Sequence, residues 1–333
     1  LRGLVGSEMC IRDRDYIRLI VGLVLPWAVG YFWLSLAEHT AGHSRHANRL
    51  RQLGYGLFVG FALLYGVIIL QSHITGRVSY GVTITVVAML AVIGLLAHLR
   101  FAPRQNDPTT PALSTTQWVL LSVVLGLTAL HLIMAWGEIL NLPVYPWDAW
   151  LAWVYRAKAW YYSGYLAPMV SPQEWLAGSE NYAMAASGYP TFASAMHMWA
   201  AVSLDQWSET LVNTPVILCG LGLVLGLYGS CREHGLGLAA STIAAYLVVS
   251  IPIVGTHLSL AGYADIWMAG FAGLGFLALI SGHIRQDRAA VCLGLLLIAF
   301  STQIKQEGVV WLYLALATLV ISAIRPQYLA GLV

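Results

Sequence analysis

The sequence predicts an all-α bundle that crosses a membrane many times, and two observations predict it. Hydrophobic residues make up 59% of the 333-residue chain, charged residues only 10%, and the mean hydropathy is +0.71; soluble domains carry roughly 25% charged residues. Several apolar runs also reach the ~20 residues that span a ~30 Å hydrocarbon core. The net charge of +2 is too small for a nucleic-acid partner. Cys219, Cys231 and Cys292 lie in or beside apolar runs, without paired or metal-type spacing.

Taken in order, the chain reads as about nine crossings. Residues 17–36, 54–70, 80–99 and 117–140 come first. A polar and aromatic insertion at 141–211 follows, and then residues 212–230, 236–255, 264–281, 289–304 and 309–324. There is no internal repeat and no low-complexity linker, so residues 15–333 read as one domain. The opening string LRGLVGSEMCIRDR (1–14) resembles translated sequencing adapter and reads as a non-native leader. The last residues, 326–333, read as the start of a further segment, so a truncated C-terminus is expected. The first apolar run has no cleavage site and reads as a retained helix.

The insertion holds the most informative stretch, LPVYPWDAWLAWVYRAKAWYYSG at 142–164. A Pro-Val-Tyr-Pro turn leaves the preceding helix, Asp148 stands first, and the segment then becomes amphipathic and aromatic. Trp150, Val154, Ala157 and Tyr161 step at four-three-four spacing and are expected on one helical face, with Trp153 and Trp160 on a neighbouring one. Such a helix is expected to lie in a membrane interface and to hold Asp148 at headgroup depth.

A second segment, Tyr189 to Leu204, is long enough for a strained crossing but carries His197. Basic residues decide its placement. If it does not cross, Arg45, Arg49, Arg51, Arg100, Arg104, Arg232, Arg285, Arg288 and Arg325 share one side. Arg18, Arg77, Arg156, Lys158 and Lys305 share the other, nine against five. The richer side is then cytoplasmic. A crossing would give six against eight, the wrong bias, so 189–204 is expected as a juxtamembrane helix on the outer face. With this orientation the 141–211 loop, THLSLAGYAD at 256–265 and TQIKQEG at 302–308 all converge outside. Asp265, Lys305 and Glu307 then stand at helix mouths around one space, and ionisable residues there mark a functional site.

Each candidate has a plainer role. Asp148 and Asp265 fit helix N-caps. Arg156 and Lys158 fit snorkelling cations before phosphate ligands, and Lys305 with Glu307 fits a loop ion pair. Glu174, Glu180, Asp205 and Glu209 read as solvated loop charges. His131 reads as a packed residue with a satisfied ring. His39, His43 and His46 are too ordinary a cluster to indicate metal. No Gly-rich phosphate loop, Ser-His-Asp arrangement or zinc spacing appears.

A membrane helix followed by an acidic residue at the head of a large outer loop resembles the GT-C superfamily of integral-membrane glycosyltransferases. That superfamily includes the protein O-mannosyltransferases and the aminoarabinose transferases. PWDAWLAWVYRAKAWYYSG looks like the start of its catalytic loop, SENYAMAASGYPTF like its later Tyr-Pro segment, and GYAD and TQIKQEG like its further outer turns. The resemblance covers roughly residues 117–324. It departs in having three extra helices before the loop and in lacking C-terminal helices or a soluble domain.

The resemblance implies a polyprenyl-phosphate sugar donor and a glycan, lipid or protein acceptor, within a bacterial inner membrane and at its outer face. Asp148 is the implied general base. Lys305 is the implied phosphate ligand with Arg156 second, and Asp265, Glu307 and Tyr189 are implied around the substrate. No cofactor is required, and a divalent metal is compatible but not indicated. A transporter or flippase for a lipid-linked or small polar solute, and a non-catalytic membrane subunit, are the rival expectations.

Overall fold

A computed structural model of the chain describes residues 13–40, 48–101, 114–260 and 262–324. It is almost entirely helical. The first four helices are α1 (Asp13–Thr40), α2 (Arg49–Thr75), α3 (Tyr80–Phe101) and α4 (Thr115–Asn141). A π-helical turn, Ala149–Trp153, then leads into α5 (Val154–Ser163). A two-stranded parallel bracket, β1 (Met169–Val170) with β2 (Tyr182–Ala183), encloses the short α6 (Pro172–Leu176). The remainder is α7 (Phe192–Leu204), α8 (Thr214–Glu233), α9 (Leu238–Val249), α10 (Pro252–Ser259), α11 (Asp265–Ile284), α12 (Arg288–Ser301) and α13 (Glu307–Ile324). The chain is therefore an all-α polytopic helical protein. The proposed leader lies outside the described residues except at its last two, 13 and 14, which begin α1. His43, His46 and residues 326–333 also lie outside them.

Among the described residues six helices are long and apolar enough to cross a membrane, or seven if α9 and α10 form one bent span. The nine expected segments shrink for local reasons. The run 236–255 is broken by 66° between α9 and α10. Pro252 lacks an amide proton and pushes Ile251 into extended backbone (φ −58°, ψ 127°), which ends the first helix. α12 has only 14 residues, and α13, at 18, lies at the lower edge of the spanning range of ~17–25.

Helices α1 and α2 pack backbone to backbone. A Cβ added at Gly60 would collide with the Pro26 carbonyl, and one at Gly30 with the Gly56 carbonyl. Small residues at such a crossing let two apolar helices gain dispersion contacts over their whole length. The aromatic centre of the core is Phe58, Phe192, Trp267 and Phe271, packed edge to face, with Phe61 tilted 38° against Trp267.

Ion pairs mark the two ends of the bundle. At one, Arg51 of α2 bonds Glu38 of α1 at 2.7 Å and Glu233 of α8 at 2.8 Å, and Gln52 donates to Glu38 at 2.9 Å. Arg285, beyond α11, joins Glu233 at 3.3 Å. At the other end Lys305 bonds Asp265. Helix α7 begins and finishes at this second end: the Phe192 amide donates to the Gln303 carbonyl, and Asp205 pairs with Arg18 at 2.8 Å. It does not traverse the bundle. Nor does it lie on a face, because all but one of its residues are buried.

Candidate functional site

Asp148 follows the turn that ends α4. The amide of Trp150 bonds the Pro146 carbonyl, and the Val154 amide reaches back five residues to Ala149, which makes the π-turn. Such turns insert one extra residue and recur at functional sites. The Asp148 side chain makes no capping hydrogen bond, and the residue is exposed. The capping role open to it in the sequence is therefore not the one it takes.

The π-turn also changes which face is buried. Trp153, Ala157 and Trp160 face the core, while Trp150 is 57% exposed, so the expected Trp150–Val154–Ala157–Tyr161 face does not form as a unit. One residue added at 149–153 rotates everything before it relative to everything after.

Trp153 is the hub of the site. Its ring lies 5.9 Å from that of Tyr189 and 5.7 Å from that of Tyr263, and the Lys305 ammonium sits 5.7 Å above it. Gly262 allows this approach. Its φ of +84° suits glycine, and a Cβ there would press into Ala149 and Val154. The Asp148 carboxylate lies near the Tyr263 phenol. Burial first, then Asp148, then Asp265 push that phenol above its ordinary pKa, while the Asp148 amide and Lys305 oppose them.

Lys305 is 2.9 Å from Asp265 and 3.5 Å from Glu307. Burial opposes its charge, but the hydrogen bond and charge of Asp265, then Glu307, outweigh it, and the ammonium is held above the usual lysine range. Asp265 and Glu307 are the first residues of α11 and α13. The Asp265 carboxylate faces Lys305, with the His257 ring 4.0 Å away, so its work exceeds capping. Three loops far apart in sequence thus meet at one end: Asp265 and Glu307 flank the Lys305 ammonium, and Asp148 stands beside the Tyr263 phenol. Among the described residues no group of three His, Cys, Asp or Glu is arranged to hold a metal ion.

Arg156 is placed differently from expectation. It is 1% exposed and donates to the carbonyls of Tyr189 (2.8 Å), Pro190 (3.0 Å), Ser187 (3.0 Å) and Ala186 (3.4 Å). It neither snorkels nor meets the Asp265–Lys305 group. Burial lowers its pKa to about 10, against the opposing pull of Tyr65. Its effect on the site is indirect, because it fixes the segment that carries Tyr189 against Trp153.

Three charges expected to be solvated stay solvent-accessible and also have partners: Glu209 bonds Lys158, Asp205 bonds Arg18, and Glu174 closes a capping box with Ser171. His131 packs against Gly255, but its Nε2 has no hydrogen-bond partner among the described residues. Sequence reasoning placed Tyr263 and His257 in the right loop without singling them out. The signal was available for Tyr263, which follows the glycine turn at Gly262 and stands two residues before Asp265.

A polytopic helical protein with an ionised, aromatic-walled cluster at one end is the class that fold and site define. Comparison with protein-family models, with curated proteins and with solved structures returns no match for the chain.

Proposed function

We propose that the chain is a GT-C-type membrane glycosyltransferase. It moves a sugar from a polyprenyl-phosphate carrier to an acceptor hydroxyl, with the Lys305 end of the bundle facing the outer side of a bacterial inner membrane. One observation carries the reading: an exposed, uncapped carboxylate at a π-turn stands beside Tyr263, whose ring packs on Trp153 under the ammonium of the Lys305–Asp265 pair from distant helices.

The acceptor hydroxyl attacks the anomeric carbon and gives its proton to Asp148. The carbon–oxygen bond to the donor phosphate breaks, its electron pair leaves on the polyprenyl phosphate, and the anomeric centre inverts. Lys305 exchanges part of its bonding from Asp265 and Glu307 to the leaving phosphate, where charge grows. Tyr189 and Tyr263 wall the sugar, and Arg156 positions Tyr189. The Trp147 and Trp150 rings, exposed and stacked 6.4 Å apart, suit headgroup depth. Purified chain supplied with a panel of polyprenyl-phosphate sugars is expected to release polyprenyl phosphate from at least one. Consumption of none contradicts the assignment.

A second reading has one observation in its favour. The α9–α10 break resembles the discontinuous helices that transporters use at their sites, and α10 ends near Asp265 through His257. Solute flux by the chain in sealed proteoliposomes, without donor consumption, supports this alternative.

A further inference from the structure

The helix that follows Asp148 borders a cleft. Residues on the 150, 151, 154, 155 and 158 side of the π-turn and α5 form one wall. Pro143, Val144, the 183–185 segment and Glu209 form the other, enclosing about 580 Å3. This lies within the ~300–1,000 Å3 of small-ligand sites.

The lining has a specific chemistry. Trp150 is 57% and Tyr155 38% exposed, so aromatic surface is open to a ligand. Lys158 bonds Glu209, and Trp207 holds the same Glu209 oxygen at 2.9 Å with its indole N–H. The two charged side chains remain 45% and 41% exposed, so their polar heads stay reachable. The pair is neutral overall, which disfavours a phosphate or a cation as the ligand. It offers instead a three-proton donor beside a carboxylate acceptor.

Taken singly these features are ordinary: interfacial aromatics anchor helices, and a half-exposed ion pair contributes little. Their convergence on one cleft is not accounted for by either role. A pyranose matches it, because its C–H faces carry partial positive charge attracted to an aromatic face, and its hydroxyls both donate and accept.

We propose that this cleft binds a neutral glycan. Its use as an acceptor subsite, two residues along the helix from Asp148, rests on the transferase reading. The binding itself does not.

The test is saturation-transfer difference NMR on the full chain in a detergent without a sugar headgroup, with maltotriose, cellotriose and mannotriose as probes. At least one is expected to show transfer to its ring protons. That signal should fall at least tenfold in Trp150→Ala and in Tyr155→Ala, both surface changes that leave the unfolding midpoint in place, and clearly in Glu209→Gln. Asp148→Asn should keep it, so a failed transferase reading and a failed glycan site give different results. Absence of signal from all three sugars, retention of full signal in both aromatic variants, or displacement by equimolar inorganic phosphate overturns the proposal.

Discussion

Lys305 and Arg51 are both cations held by two carboxylates, yet removing them should have different effects. Lys305 lies in a loop and its partners Asp265 and Glu307 keep 32% and 58% of their side chains exposed, so water can take over their solvation. Lys305→Ala is therefore expected to leave thermal unfolding nearly unchanged while lowering transfer more than tenfold, ~1.4 kcal/mol or more, for the lost charge-assisted contact. Wild-type turnover in that variant would make Lys305 a surface residue.

Arg51 is 8% exposed and its partners Glu38 and Glu233 are 7% and 8% exposed. Arg51→Met leaves the buried Glu38 carboxylate without a cation and Glu233 with Arg285 alone, at a cost of about 3–5 kcal/mol. A large drop in the unfolding midpoint is expected, partly restored by adding Glu38→Gln. An unchanged midpoint would show that water already reaches this cluster.

At the scale of elements, the Asp148 helix is shaped by its π-turn and tied down by its clasp. Arg156 holds four carbonyls of the 186–190 segment with a planar fork, and lysine cannot reproduce that geometry. Arg156→Lys is expected to speed protease cleavage within 181–190 and to reduce transfer several-fold, with the bundle intact. Unchanged cleavage would mean that the segment is fixed by Tyr189 and Phe192 alone.

Sequence could not distinguish this clasp from a snorkelling cation. Arg next to Trp and Tyr has the same local pattern in both cases, and the carbonyls it meets are 30 or more residues away. The buried face was misread for a related reason, since 3.6-residue periodicity carries no sign of an inserted π residue. The α9–α10 break lies inside the run 236–255 read as one crossing, although Pro252 in the Ser-Ile-Pro-Ile string at 250–253 carries a signal for it.

At the scale of the whole molecule, two distinct ends emerge from the ion pairs. Of the basic residues counted to one side, Arg49, Arg100 and Arg288 are exposed at the Glu38 end. Most of the opposing set is internally committed: Arg18 to Asp205, Lys158 to Glu209, Lys305 to Asp265, and Arg156 to backbone carbonyls. The nine-to-five count of basic residues favours a cytoplasmic Glu38 end. In a background without other cysteines, Ala177→Cys should react with an impermeant maleimide in intact cells and Arg288→Cys should not. The reverse labelling would put the Lys305 cluster on the wrong side for the proposed donor.

The convergence of 141–211, 256–265 and 302–308 was readable from charge parity alone, because each crossing fixes the side of the next loop. The burial of α7 was not, since its apolar composition fits a core helix, a span or an interfacial helix equally.

The central claim is that Asp148 accepts a proton. Asn keeps the size of the side chain and an oxygen for hydrogen bonding but cannot act as a base, and any helix-end role is preserved. The most direct measurement is sugar transfer by purified Asp148→Asn against wild type, with expression and unfolding midpoint matched. A loss of ~10²–10⁴-fold in rate is the expected result. Near-normal transfer by a well-folded Asp148→Asn protein would contradict the account and pass the role of base to Asp265.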